Sequence, residues 1–200
     1  MQYRLPGDIA ILGGKPTGLR AMALRLAEIQ AIIVAGTEHR GWIANSFAQI
    51  EFLLGDLIVR CRAFPQYDLH TQTISHSAAK RVAKVRSILA IEGPLSPFSG
   101  PLEPMLAAFS AHQEVRNLLA HGYCEFHHTP AGDAGFYFRK FDRAKAEETG
   151  NDAAMLEMTF RLIDLEYHRE QMIALSENAM DLISNVHVAL GWADAAPQTI

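Results

Sequence analysis

The hydrophobic period of this chain changes at Gly122 and changes back near Asp164. Before Gly122, apolar residues recur every three or four positions, which predicts amphipathic helices. Between the two points they alternate with polar residues, which predicts strands. We therefore predict a mainly α fold, a helical bundle of about five helices, with a small antiparallel β insertion over residues 123–163 before the last helix.

The first half of the chain begins with two predicted helices. The first covers Leu19–Val34 and is expected to end at Gly36. Thr37 is a plausible N-cap for the second helix, which runs to about Arg62. The apolar stripe of this second helix contains Ile43, Phe47, Ile50, Leu54, Leu57, Ile58 and Cys61.

Two more helices are predicted before Gly122. The third covers residues 74–91. Residues 93–104 are rich in Pro and Gly and are predicted to form a loop. A fourth helix begins near Pro101 or Glu103 and is expected to stop at Gly122.

The predicted strands lie between the fourth helix and the last one. Residues 123–128 and 136–142 flank a turn-forming segment and predict a hairpin, and residues 156–164 predict a third strand. Asp164 is then expected to cap a final helix that ends near Leu190.

Length and composition fit one soluble domain covering residues 1–200, with residues 1–36 as an N-terminal extension helix. The chain has 200 residues, of which 49% are hydrophobic and 20% charged, and a formal net charge of −4. It has two cysteines and no C-x-x-C pair, and we find no signal peptide or membrane span. These features predict a cytoplasmic protein that does not bind membranes, and its mild acidity argues against a general polyanion binder. Its nine histidines lack the spacing of metal ligands, so we predict neither a metal site nor a cofactor.

The end of the fourth helix carries a polar group on an otherwise apolar helix. Arg116 falls on the stripe of Leu102, Met105 and Phe109, while Asn117 and His121 share the adjoining face with Glu114. Burying such groups is costly unless they are paired, so they either satisfy one another or line a cleft. Structural roles alone account for such a pattern too, because a helix C-terminus favours histidine and an arginine can reach solvent. Glu51 interrupts the stripe of the second helix, and we predict that it pairs with a buried cation such as Arg116.

The segment Arg116-Asn117-Leu118-Leu119-Ala120-His121 resembles the R-x4-H motif of the HEPN superfamily, and Tyr123 extends it to R-x4-H-x-Y. HEPN proteins are small helical bundles, and many are metal-independent ribonucleases of toxin–antitoxin and other defence systems. The resemblance implies a homodimer in which the motif helices of two subunits form one composite site. In some members a partner nucleotidyltransferase antitoxin adenylylates the tyrosine, which makes Tyr123 a candidate modification site.

The motif residues suit RNA cleavage. Attack of a 2′-hydroxyl on phosphorus needs a base, a role that His121 can fill, and a cation for the phosphoryl oxygens, a role that Arg116 can fill. Asn117, Glu114 and Glu51 are candidate supporting residues. A basic face could also follow an RNA backbone, although a solvated helix face is the favoured interpretation; it consists of Lys80, Arg81, Lys84 and Arg86. The alternative to a ribonuclease is a catalytically silent HEPN-like dimer that serves as a binding or scaffold protein.

Overall fold

The computed structural model describes residues 25–129 and 132–192 of the chain. This part of the chain is mainly helical and contains a small three-stranded antiparallel sheet. Its seven α-helices are α1 (Leu26–Arg60), α2 (Asp68–Thr71), α3 (Ala78–Leu89), α4 (Ser99–Ala111), α5 (Gln113–His121), α6 (Arg143–Thr149) and α7 (Leu162–Ala189). Its strands are β1 (Tyr123–His128), β2 (Ala134–Phe141) and β3 (Met155–Phe160).

The expected helix break at Gly36 is wrong. Helix α1 runs without interruption through Gly36 and Thr37, and the Thr37 hydroxyl donates to the Ile33 carbonyl at 2.8 Å instead of capping a new helix. Gly36 serves packing: a Cβ placed there would lie 2.2 Å from Cζ of Phe136 on β2. The predicted first helix is therefore the start of α1 from Leu26 onward, and its residues 19–24 lie outside the described part of the chain.

Two predicted boundaries in the middle of the chain also change. Helix α3 begins at Ala78 rather than near residue 74, because Arg81 and Lys84 hold the preceding segment in a loop through the Ser75 and Thr73 carbonyls. Helix α4 begins at Ser99, inside the predicted loop. Pro101 lies in its first turn, where the missing N–H removes no helical hydrogen bond.

The predicted fourth helix is two helices. It breaks at His112 between α4 and α5, and α5 then ends before Gly122 as expected. A Cβ at Gly122 would lie 2.4 Å from the Leu118 carbonyl oxygen, which accepts the Gly122 N–H at 2.7 Å. Only a residue without a side chain fits this tight exit from α5 into β1.

The three predicted strands are confirmed, in the order β1-β2-β3. The polar segment between β2 and β3, predicted without a helix, contains α6; Asp142 caps it through the Lys145 N–H, and Gly150 ends it at φ 67°. Asp164 does not cap the last helix but occupies its first turn, where its carboxylate accepts the Arg161 N–H at 2.8 Å. Together with the break at His112, α6 and the short α2 explain why about five helices are not confirmed.

One connected core joins the helices to the sheet. Side chains of α1, α3, α4, α5, α7, β2 and β3 contribute to it. Phe136 and Phe138 alternate with Tyr137 and point into this core, and the Phe138 ring packs edge-on against Phe160 at 5.7 Å. Among the described residues, α1 is the one helix long and apolar enough to cross a membrane. Core helices of globular proteins pass the same test, and 44% of the most apolar window of α1 is buried inside the protein, so its length and composition are weak evidence for a membrane span.

Two glycines of α1 give a matched test of this packing. Gly41 has open space around its Cβ position, so Gly41→Ala is expected to stabilise the protein by about 1 kcal/mol through helix propensity. Gly36→Ala forces the buried Phe136 ring to move and is expected to destabilise it by about 1–3 kcal/mol. Urea unfolding measures both, and equal stabilisation by the two substitutions would contradict the packing of β2 against α1.

Candidate functional site

The site is built around Arg116 in α5, whose side chain is 21% exposed. Its Nη2 lies 3.5 Å from Oε2 of Glu51 on α1, and its Nη1 donates to Oδ1 of Asn117 at 3.0 Å. The guanidinium carbon lies 4.7 Å from the centre of the Phe47 ring, which in turn lies 4.2 Å from the Phe109 ring. An ion pair, a hydrogen bond and a cation–π contact therefore fix the guanidinium.

The contact between Arg116 and Glu51 confirms the predicted ion pair. The Glu51 side chain is 17% exposed, so both charges are largely removed from water. The main-chain carbonyl of Glu51 also accepts Nη1 of Arg81 at 2.7 Å. Glu51 thus links three helices: its carboxylate holds α5 and its carbonyl holds α3, while its backbone belongs to α1.

His121, the last residue of α5, is exposed to solvent. It lies five positions after Arg116, so the two side chains leave the helix about 140° apart and about 7.5 Å apart along its axis. Arg116 points toward α1, whereas the imidazole remains accessible. Within one chain, the helix therefore offers an anchored cation and an open base or acid on different faces.

Two other predicted site residues stand apart from this cluster. Glu114 is exposed in the first turn of α5 and is not among the partners of Arg116, which are Glu51, Asn117 and Phe47. Tyr123 begins β1 and is 61% exposed, with the Arg139 guanidinium carbon 5.2 Å from the centre of its ring. The phenol ring of Tyr123 is thus accessible two residues beyond His121.

The basic face of α3 is engaged mainly within the protein. Arg81 donates to the Ser75 and Glu51 carbonyls, Lys84 bonds to Thr73, and Nε of Arg86 lies 2.8 Å from Oε1 of Glu103. Lys80 is exposed. Three of the four cations therefore bond to neighbouring segments of the protein, so this face is not simply solvated as the favoured interpretation expected.

Two histidines form a second polar group, at the α4–α5 break. His168 of α7 is 6% exposed and its ring lies 6.3 Å from that of His112, between centres. Burial lowers the pKa of both side chains, and the proximity of His112 lowers that of His168 further. In the described part of the chain, no three His, Cys, Asp or Glu side chains are grouped as metal ligands would be.

Sequence reasoning missed Arg40 of α1. Its Nε and Nη2 both donate to the Leu119 carbonyl, at 3.2 and 2.6 Å, in the last turn of α5. The signal was available, because Arg40 lies three and seven positions before Ile43 and Phe47 and so interrupts their apolar stripe. The same reasoning had singled out Arg116.

The chain matches no protein-family model, no curated protein and no solved structure in the comparisons made.

The ion pair at this site can be tested by removing one charge. Glu51→Gln leaves Arg116 without its carboxylate and is expected to cost about 1–3 kcal/mol of unfolding free energy. The matched change is Glu103→Gln, whose partner Arg86 and own side chain are 40% and 51% exposed, so its expected cost is about 0–1 kcal/mol. Denaturant unfolding measures the free energy of unfolding of both variants. An equal loss of stability in the two would show that the Glu51–Arg116 contact contributes no more than an exposed ion pair.

Proposed function

We propose that this protein is a HEPN-like, metal-independent endoribonuclease that acts as a homodimer in a toxin–antitoxin or other defence system. The composite site would contain Arg116 and His121 of both subunits. The observation that carries the proposal is that α5 presents two different groups. Its guanidinium, Arg116, is anchored by Glu51, Asn117 and Phe47, and its terminal imidazole, His121, is exposed to solvent.

In the proposed reaction, a 2′-oxygen of RNA forms a bond to the adjacent phosphorus while the bond to the 5′-oxygen of the next nucleotide breaks. One His121 takes the proton of the 2′-hydroxyl, and His121 of the second subunit gives a proton to the leaving 5′-oxygen. Arg116 stabilises the negative charge on the phosphoryl oxygens. The products are a 2′,3′-cyclic phosphate and a 5′-hydroxyl.

The state of Arg116 suits phosphate binding. Its contact with Glu51 is long, at 3.5 Å, so Nη2 is only weakly bonded within the protein. A phosphate could therefore compete with Glu51 for the Nη2 donor of the guanidinium fork. Asn117, which accepts from Nη1, would keep the fork oriented during this exchange.

The partner that we propose for regulation is a nucleotidyltransferase antitoxin acting on Tyr123. The 61% exposure of this side chain supports access by a second enzyme. Of the α3 cations, Lys80 is exposed and Arg86, which pairs with Glu103, keeps a 40% exposed side chain, so these two support RNA-backbone contact best. Arg81 and Lys84 give that role little support, since both bond to main-chain carbonyls.

A second candidate function is a catalytically silent HEPN-like dimer that acts as a binding or scaffold protein. The contacts of Arg116 with Glu51, Asn117 and Phe47 favour it, because they account for the arginine without any substrate. In that case the motif would persist as the polar junction between α1 and α5.

Cleavage of RNA in the presence of a chelator separates the two functions. The wild-type protein is expected to degrade a mixed RNA pool, and His121→Ala to do so on the order of 10²-fold more slowly or worse, because a general acid–base group is lost. His127→Ala is the matched control, since His127 is an exposed histidine of β1 outside the motif.

The outcomes of this assay are distinct. Equal rates for the wild type and His121→Ala would reject the catalytic role of His121. No cleavage by the wild-type dimer would leave the scaffold function as the better account. A rate for His127→Ala as low as that for His121→Ala would show a general effect of removing histidines rather than a motif-specific one.

A further inference from the structure

Arg40 joins α1 to the last turn of α5, the helix that carries Arg116 and His121. It lies on α1 and is partly buried, with its guanidinium carbon 4.9 Å from the centre of the Phe138 ring of β2. From there, two of its nitrogens donate to the single carbonyl oxygen of Leu119. A planar fork that uses two donors on one acceptor constrains both the position and the direction of that carbonyl.

The Leu119 carbonyl is one of the last four of α5, which have no partner within the helix. The preceding carbonyl, of Leu118, accepts the Gly122 N–H. Two successive carbonyls of the last turn are thus satisfied from different directions, one by the chain that leaves the helix and one by α1. A positive charge at a helix C-terminus is also electrostatically favourable.

The charge of Arg40 also reaches the start of β1. Burial raises the pKa of the Cys124 thiol, and the Arg40 guanidinium acts in the opposite direction. Phe138, whose ring the Arg40 guanidinium contacts, is the strand partner of Cys124, so Arg40 is linked to both segments that flank His121: the last turn of α5 before it and β1 after it.

Arg40 and Glu51 are eleven residues apart, which is three helical turns, so both lie on the same face of α1. Glu51 holds α5 through Arg116, and Arg40 holds it through Leu119. We propose that Arg40 is the positioning residue of His121, so that α1 sets where the imidazole lies relative to Arg116. This inference rests on the proposed function for its catalytic consequence, while the positioning itself can be measured without RNA.

The test compares Arg40→Gln and Arg40→Lys with a matched control, Arg62→Gln. Arg62 also donates to a main-chain carbonyl at the end of a helix, that of Thr71 in α2, with an Nε–O distance of 3.0 Å. The first measurement is the NMR signal of the His121 imidazole and its pH titration. Arg40→Gln is expected to shift both, Arg40→Lys to shift them less because it retains the charge without the fork, and Arg62→Gln to leave them unchanged.

The second measurement is the rate of RNA cleavage under chelator. With His121 displaced, Arg40→Gln is expected to lower kcat by up to the order of 10²-fold, with little change in KM and partial rescue by Arg40→Lys. A general loss of structure would instead lower the fraction of active protein and leave the His121 titration of the folded fraction unchanged.

Unchanged His121 signals in folded Arg40→Gln would overturn the proposal. If Arg40→Gln does not fold, the test uses Arg40→Lys, which keeps the charge and most of the aliphatic stem. His121 signals identical to those of the wild type in Arg40→Lys would then overturn the proposal. Shifted His121 signals together with no RNA cleavage by the wild type would reject the proposed function and leave the positioning role standing.

Discussion

The ion pair between Arg116 and Glu51 joins α5 to α1 where both side chains are largely removed from water. An arginine in such a place needs partners, because an unpaired buried charge is strongly destabilising. Glu51, Asn117 and the Phe47 ring supply them, and the Phe47 ring stacks on Phe109 in the core. The orientation of α5 against α1 therefore depends on how this guanidinium is accommodated.

Helix α1 provides the frame for that arrangement. It is 35 residues long and carries the centre of the core on one side, including Phe47, Ile50 and Leu54. Its polar contacts with other elements are spread along its length: Arg40 with Leu119, Glu51 with Arg116, and Arg60 with the Trp192 carbonyl. The close approach of β2 at Gly36 completes the frame at its other end. One long helix therefore contacts the sheet, α5 and the segment that follows α7.

Much of the fold could be predicted from hydrophobic period alone, because the helices and the strands bury one face each. The hairpin, the third strand and the stop at Gly122 follow from local turn and strand signals. The predicted helix end at Gly36 was wrong because a glycine has two common roles that the sequence alone does not distinguish. It can end a helix, or, as here, it can lie within a helix and leave room for an aromatic ring. The break at His112 and the helix α6 carry weaker signals and depend on tertiary contacts and a single cap.

Some contacts of the candidate site could likewise be predicted from the sequence, and others could not. Arg116 could be named as a possible partner of Glu51 because each of them interrupts an apolar stripe, and a buried charge needs a partner. Arg40 obeys the same rule, yet its partner is a main-chain carbonyl, which no side-chain pattern reveals. The α3 cations show the converse: a run of charges visible in the sequence is mostly occupied by neighbouring loops.

We propose that Arg116 and His121 together contact RNA. The most direct measurement is a titration of the protein with a short oligonucleotide whose 2′-hydroxyls are replaced by hydrogen, which binds without being cleaved, followed by NMR of the Arg116 guanidinium and the His121 imidazole. If both residues contact the same RNA, both signals are expected to move together, with one affinity, and Arg116→Lys is expected to weaken the effect at His121. Binding that shifts other residues while leaving these two signals in place would contradict it.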